Sequence, residues 1–303
     1  MKTPNNKEAN TVAVQGNLAA VGTDAGGLFL IDLATASVLH ALQGHTVAVQ
    51  SVIFDGNEII SGSEDKTVRV WDKISGRETL RIDAGARVWS VAAHENLLVA
   101  GLKDKTVRIF DRASGRCRPR HDLVEATEDV YAVAIDAQRM VSGSGNKVRV
   151  YAVPSFQLVR VIEGHTRWVN SVALEGDRIV SGSADNTVRL WDARSGALLH
   201  VLQGHSDFVN SVSLVGSEIV TGSWDRSVRI WEADTGASTR VLDGTEAVRS
   251  IEEEVLASPA EVKTEGAIDE EVLASPAEVE TDLKPARIDE DLHAKLCPTC
   301  SIL

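Results

Sequence analysis

Thr67-Val68-Arg69-Val70-Trp71-Asp72 decides the reading, because the chain writes this phrase again at near-constant intervals. Its echoes are Leu28-Phe29-Leu30-Ile31-Asp32, Val107-Arg108-Ile109-Phe110-Asp111, Val148-Arg149-Val150-Tyr151, Val188-Arg189-Leu190-Trp191-Asp192 and Val228-Arg229-Ile230-Trp231-Glu232. From Leu28 onward they recur at spacings of 40, 39, 41, 40 and 40 residues. A unit of this length cannot bury its apolar faces alone and must stack on its neighbours, so the period implies a propeller or a solenoid.

The second unit shows what each contains. Ser51-Val52-Ile53-Phe54 and Glu58-Ile59-Ile60-Ser61-Gly62 are short β-branched runs on either side of the turn Asp55-Gly56-Asn57. Strand three follows, with Val68 and Val70 on one face and Arg69 and Trp71 on the other. Ser75-Gly76 then turns the chain into Glu78-Thr79-Leu80-Arg81-Ile82. Gly115, Gly196 and Gly236 take the same turn, where φ can be positive. Four short strands joined by tight turns make one antiparallel sheet, and no stretch carries the 3.6-residue period of a long amphipathic helix.

A histidine before strand one, a hydroxyl on strand two, an aspartate in the tight turn and an indole on strand three are able to form one hydrogen-bond relay. Gly44-His45, Gly164-His165 and Gly204-His205 open units that close with Trp71-Asp72, Trp191-Asp192 and Trp231-Glu232, around Ser-Gly-Ser-x-Asp turns at 61–65 and 181–185. The pattern resembles the WD-repeat family over residues 11–243, which implies an all-β β-propeller of four-stranded antiparallel blades around a central channel. The resemblance implies three relays: His45, Ser61, Asp65 and Trp71; His165, Ser181, Asp185 and Trp191; His205, Thr221, Asp225 and Trp231.

Three units depart from the pattern. The third has Gly85-Ala86 for Gly-His and Phe110 for the indole, although Asp104 remains; the fourth has Asn146 and Tyr151; the first has Ile31. These blades are expected to rely on apolar packing. After six clear units, Gly244-Thr245-Glu246-Ala247-Val248-Arg249-Ser250-Ile251 matches the start of a seventh, with Ser250 lying 39 residues after Ser211. The expected organisation is a polar segment at 1–10, the propeller at 11–243, a degenerate seventh blade at 244–258 and an acidic, largely disordered tail at 259–303. A closed six-bladed ring is the alternative.

The formal charge of −13 is unevenly placed. From Gly244 onward there are 15 acidic and 5 basic residues, which leaves 29 and 26 for the rest. A nearly neutral ring with a charged extension argues against nucleic-acid affinity driven by counterion release. The tail repeats Ile251-Glu252-Glu253-Glu254-Val255-Leu256-Ala257 as Ile268-Asp269-Glu270-Glu271-Val272-Leu273-Ala274, each followed by Ser-Pro at Ser258 and Ser275, which are candidate phosphorylation sites. Cys300-Ser301-Ile302-Leu303 resembles a prenylation box, with Cys297 as a second candidate for acylation, although its acidic approach would be repelled by an anionic leaflet. Membrane association is expected only if Cys300 is lipidated. With three cysteines, no signal-like segment and no membrane-length apolar run, a cytoplasmic or nuclear setting is expected.

Catalytic patterns are missing from the sequence: no Gly-x-Ser-x-Gly elbow, no phosphate-binding Gly-rich loop and no His-Glu-x-x-His. No cofactor, metal or catalytic residue is assigned. Trp89, Trp168 and Trp224 fall in the loop before strand one or the turn before strand three, Tyr131 and Phe208 occupy corresponding positions, and Arg87, Lys103, Arg167 and Arg249 lie close in register. On the family analogy these border the channel mouth, and aromatics beside arginines are the residue types of interface hot spots. The reading is a non-enzymatic scaffold for protein or peptide partners. The alternatives are a substrate receptor of a ubiquitin ligase and, from a different class, a propeller hydrolase or lyase.

Overall fold

The computed structural model describes residues 9–114, 117–123 and 126–243. Among them there are only strands, grouped as six four-stranded antiparallel sheets in which every strand pairs with its neighbours in sequence. Blade one comprises β1 (Ala9–Gln15), β2 (Leu18–Thr23), β3 (Leu28–Asp32) and β4 (Ser37–Ala41); blade two β5 (Val49–Asp55), β6 (Glu58–Ser63), β7 (Thr67–Asp72) and β8 (Glu78–Asp83). Blade three comprises β9 (Val88–His94), β10 (Leu97–Leu102), β11 (Val107–Asp111) and β12 (Cys117–Leu123); blade four β13 (Val130–Ile135), β14 (Arg139–Ser144), β15 (Lys147–Ala152) and β16 (Leu158–Glu163). Blade five comprises β17 (Val169–Glu175), β18 (Arg178–Ser183), β19 (Thr187–Asp192) and β20 (Leu198–Gln203); blade six β21 (Val209–Val215), β22 (Glu218–Ser223), β23 (Ser227–Glu232) and β24 (Ser238–Asp243). The fold is an all-β propeller. It starts at Ala9, slightly upstream of the expected Thr11, with Asn10 and Thr11 both buried. The seventh blade expected at 244–258 and the tail at 259–303 lie outside the described residues.

Burial differs by strand, and the reason is architectural. In blade two, β6 and β7 are buried along almost their whole length while β8 is mostly exposed. The two middle strands are sandwiched between neighbouring sheets, so both of their faces are buried, and the polar side chains among them, Ser61, Ser63, Thr67 and Arg69, are buried with hydrogen-bond partners. The inner strand faces the channel and the outer strand faces solvent. The hairpin between β5 and β6 turns at Gly56, whose φ of 59° lies in the left-handed region that glycine enters at no steric cost.

The core belongs to pairs of blades, not to single ones. Val180, Val188 and Leu190 of blade five pack into Val209, Ile219 and Trp231 of blade six, and the same arrangement joins blades one to two, two to three, three to four and four to five. Gly182 sits at the closest approach: a Cβ there would lie 2.7 Å from Cγ1 of both Val209 and Val212. Polar contacts repeat in step. The Val91, Val133 and Val212 amides each donate across to a serine hydroxyl of the preceding blade, at Ser51, Ser90 and Ser171, all at 3.1 Å.

Within blades two, five and six a buried relay ties the sheet together. In blade five His165 Nε2 lies 2.8 Å from Ser181 Oγ, His165 Nδ1 lies 2.8 Å from Asp185 Oδ2, and Trp191 Nε1 donates to Ser181 Oγ at 2.8 Å. An ionised carboxylate only accepts, so Nδ1–H donates to Asp185; the hydroxyl accepts from the indole and donates to the free Nε2 of a neutral imidazole. His45, Ser61, Asp65 and Trp71 repeat the arrangement in blade two, and His205, Thr221, Asp225 and Trp231 in blade six. Burial alone would raise the pKa of each aspartate. The hydrogen bonds from the histidine and from the Thr67, Thr187 or Ser227 hydroxyl outweigh it, holding all three carboxyls well below their usual range, Asp225 at about 2. Burial pushes the pKa of His205 down despite the pull of Asp225.

The relay is absent from the remaining blades, which fill its indole position with apolar or phenolic side chains. Phe110, Tyr151 and Ile31 are all buried there. Asp104 keeps its turn by accepting from the Thr106 hydroxyl at 2.5 Å and from Arg108 Nη2 at 3.1 Å.

These contacts set two measurable expectations. Gly182→Ala should lower unfolding stability by about 1–3 kcal/mol in chemical denaturation, since the backbone carrying the new methyl would have to move away from blade six. Acid sensitivity should follow the relays. The ordinary carboxyl pKa of 3.8 exceeds the folded value of about 2 at Asp225, so its contribution is fully present above about pH 4 and is lost as the pH falls through about 2. The depressed pKa of His205 acts in the same sense, reducing stability as the pH drops below its ordinary value of 6.5. Asp225→Asn should therefore flatten the fall in urea midpoint between about pH 4 and 2 relative to the unsubstituted chain.

Candidate functional site

The loops from outer to inner strand and the turns between strands two and three share one face of the ring, and the relays clamp them to each other. His165 belongs to the first kind of segment and Asp185 to the second, and their 2.8 Å contact fixes both. The backbone adds a second tie, from the Ala184 amide to the Trp168 carbonyl at 2.8 Å and from the Trp224 amide to the Phe208 carbonyl at 3.0 Å. Side chains that blades two, five and six present on this face therefore stand on a rigid base.

On that face the aromatics form an arc over blades three to six. Trp89 and Tyr131 have ring centroids 5.9 Å apart, and Tyr131 and Trp168 are 6.3 Å apart. Phe208 and Trp224 follow at 5.4 Å. Arg167, next to Trp168 in the chain, lies with its guanidinium 4.8 Å from the Phe208 ring centroid and links the two groups. Trp168 and Trp224 are 49% and 48% exposed, a large apolar area for side chains anchored by so firm a backbone.

Two positions differ from the sequence expectation. Trp89 and Tyr131 belong to the inner strands β9 and β13, not to the loops before them, and are half-buried. The pairing register slips beside each of them, and both line the central channel together with Gln50, Asn170 and Asn210. The Trp89 indole donates to Asp129 Oδ2 at 3.2 Å. Burial, with Asp129 and Glu128 nearby, pushes the pKa of the Tyr131 phenol upward.

The other side of the mouth is polar. Glu64 of blade two accepts from Gln50 Nε2 at 2.9 Å and pairs with Arg87 at 2.7 Å, so Arg87 is engaged within the ring while Lys103 is exposed. Neither Glu64 nor Asp129 stood out in the sequence, because an isolated acidic residue in a turn carries no spacing signal. Arg249, Ser258, Ser275, Cys297 and Cys300 lie outside the described residues. Among the described residues no group of three or more histidine, cysteine or acidic side chains is placed to hold a metal ion.

Comparison with known proteins agrees with the fold. The family model for the WD domain, G-beta repeat, matches residues 36–72, 78–111, 156–192 and 196–232. Each matched repeat begins in the outer strand of one blade and continues through the three inner strands of the next, as β4 does with β5, β6 and β7. The NACHT domain- and WD repeat-containing protein 1 of Mus musculus is 37% identical over 78 residues, which cover 25% of this chain and 5% of that protein. Mitochondrial division protein 1 of Kluyveromyces lactis is 26% identical over 132 residues, 42% of this chain and 16% of that protein. The chain thus matches only a small part of these relatives' length. The computationally designed Ika8 protein superposes with a TM-score of 0.62 at 22% identity, covering 79% of this chain and 88% of that one, and shares the fold. With four matched repeats laid on a ring of four-stranded sheets, the chain is a WD-repeat-like β-propeller.

Proposed function

We propose that this protein is a non-enzymatic scaffold that binds a peptide or protein segment across the channel mouth of blades three to six. One observation carries the reading: two half-exposed indoles, Trp168 and Trp224, stand at separate points of an aromatic arc whose backbone in blades five and six is fixed by relays. Preorganised aromatics lose little conformational freedom when covered, and tryptophan and arginine dominate the energetics of interfaces. Arg167, spread over Phe208, offers donors to a peptide carbonyl or carboxylate between the two indoles. Protein binding is the usual role of WD-repeat propellers, which supports this reading of the arc.

In affinity capture with the full-length chain, Trp168→Ala together with Trp224→Ala should weaken partner binding by about thirtyfold or more, the loss expected of a single hot spot. The melting temperature should stay unchanged, since neither indole belongs to an inter-blade core cluster. Capture of the same partners at unchanged affinity by the folded double variant would refute the proposal.

A further inference from the structure

Blades one to five each bury three equivalent apolar side chains of their middle strands in the next blade. In blade five these are Val180, Val188 and Leu190, at most 1% exposed, and the corresponding positions of blades one to four are no more than 2% exposed. Blade six breaks the series: Val220, Val228 and Ile230 are only partly buried. Inner strands pack in sequence from β1 on β5 through to β17 on β21, but among the described residues β21 has no comparable packing on β1. On the far side of this seam, Ala19, Val21, Phe29 and Ile31 form a cluster drawn from blade one alone. A sheet face that all other blades bury is here without a described partner.

The chain itself supplies a matching segment. Every connection between blades runs from an outer strand to the next inner strand over 4 to 7 residues, and the inner strands from Val49 to Val209 start 39 to 42 residues apart. Sixty residues follow Asp243, and Val248 lies 39 residues after Val209 and four residues beyond the loop's first possible position at Gly244. The run Thr245-Glu246-Ala247-Val248-Arg249-Ser250-Ile251 copies Ser206-Asp207-Phe208-Val209-Asn210-Ser211-Val212 in its valine, its serine and its closing β-branched residue. Those are the three positions that make contact between blades. Val209 and Val212 close over Gly182, and the Val212 amide donates to Ser171 Oγ at 3.1 Å.

We propose that residues 248–251, reached by the loop 244–247, lie as the start of an inner strand on the open face of blade six, beginning a seventh blade that fills the seam. Val248 and Ile251 close over Gly222 and cover Val220, and the Ile251 amide donates to Ser211 Oγ, the place that Ser51, Ser90 and Ser171 take in other blades. The occupant is this chain's own segment, tethered a few residues from the face it covers, so its effective concentration exceeds that of any free competitor.

The test uses the full-length chain. Hydrogen exchange should find the amides of 248–251 protected at least about tenfold more than those of the second tail copy at 268–274. Val248→Asp with Ile251→Asp should lower the melting temperature by several degrees, while Val272→Asp leaves it unchanged. Equal exchange in the two tail segments would overturn the proposal even if the double variant fails to fold. So would an unchanged melting temperature in the double variant. Sedimentation covers the remaining occupant: a dimer that persists in the double variant would assign the face to a second copy of the chain and overturn the proposal as well.

Discussion

Burial of one sheet's face by the next is the constraint from which the rest of this structure follows. A four-stranded sheet with two apolar faces cannot be stable alone in water, and a sequence that repeats the same sheet can satisfy every copy only by stacking them. The stacking tolerates drift in local chemistry. Blade four has neither the histidine nor the indole of blade five, yet Tyr151 is as fully buried as Trp71 and lies in a cluster shared between blades three and four. Removing the glycine gap at Gly182, or leaving a face such as that of Val220, Val228 and Ile230 uncovered, touches the term that dominates stability.

The relays have a narrower task. They lie on the side of the sheet where loops and turns meet, and each removes a buried indole N–H, a hydroxyl and an imidazole from water with every partner satisfied. Their contribution is to hold segments that would otherwise be free to move. Blades five and six, which carry the exposed Trp168 and Trp224, are both relay blades. The same chemistry that makes the carboxyls strongly acidic makes the mouth rigid.

The period and the Val-Arg-x-Trp-Asp phrase made the fold legible from sequence, since the copies stand in register at a length that only stacked sheets can bury. Relay residues were legible for a related reason: four chemically distinct side chains recurring at fixed offsets leave few alternatives. The site was legible only in part. Trp89 and Tyr131 read as loop residues because the irregular pairing at the start of β9 and β13 depends on how the strand meets its neighbour, which no local spacing records. The grouping of Gln50, Glu64 and Arg87 joins blade two to the loop before blade three, so it exists only once the ring has formed.

The arc of aromatics stops at blade three on one side and at blade six on the other, while blade two presents charge and amides in the same positions. A rotor whose vanes were all alike would let a guest settle at any compass bearing around its axis. Among the described residues the exposed indoles lie on one arc, so a guest bound there as proposed would be held at a single azimuth, and anything fused to it would point in a fixed direction relative to where the chain leaves blade six.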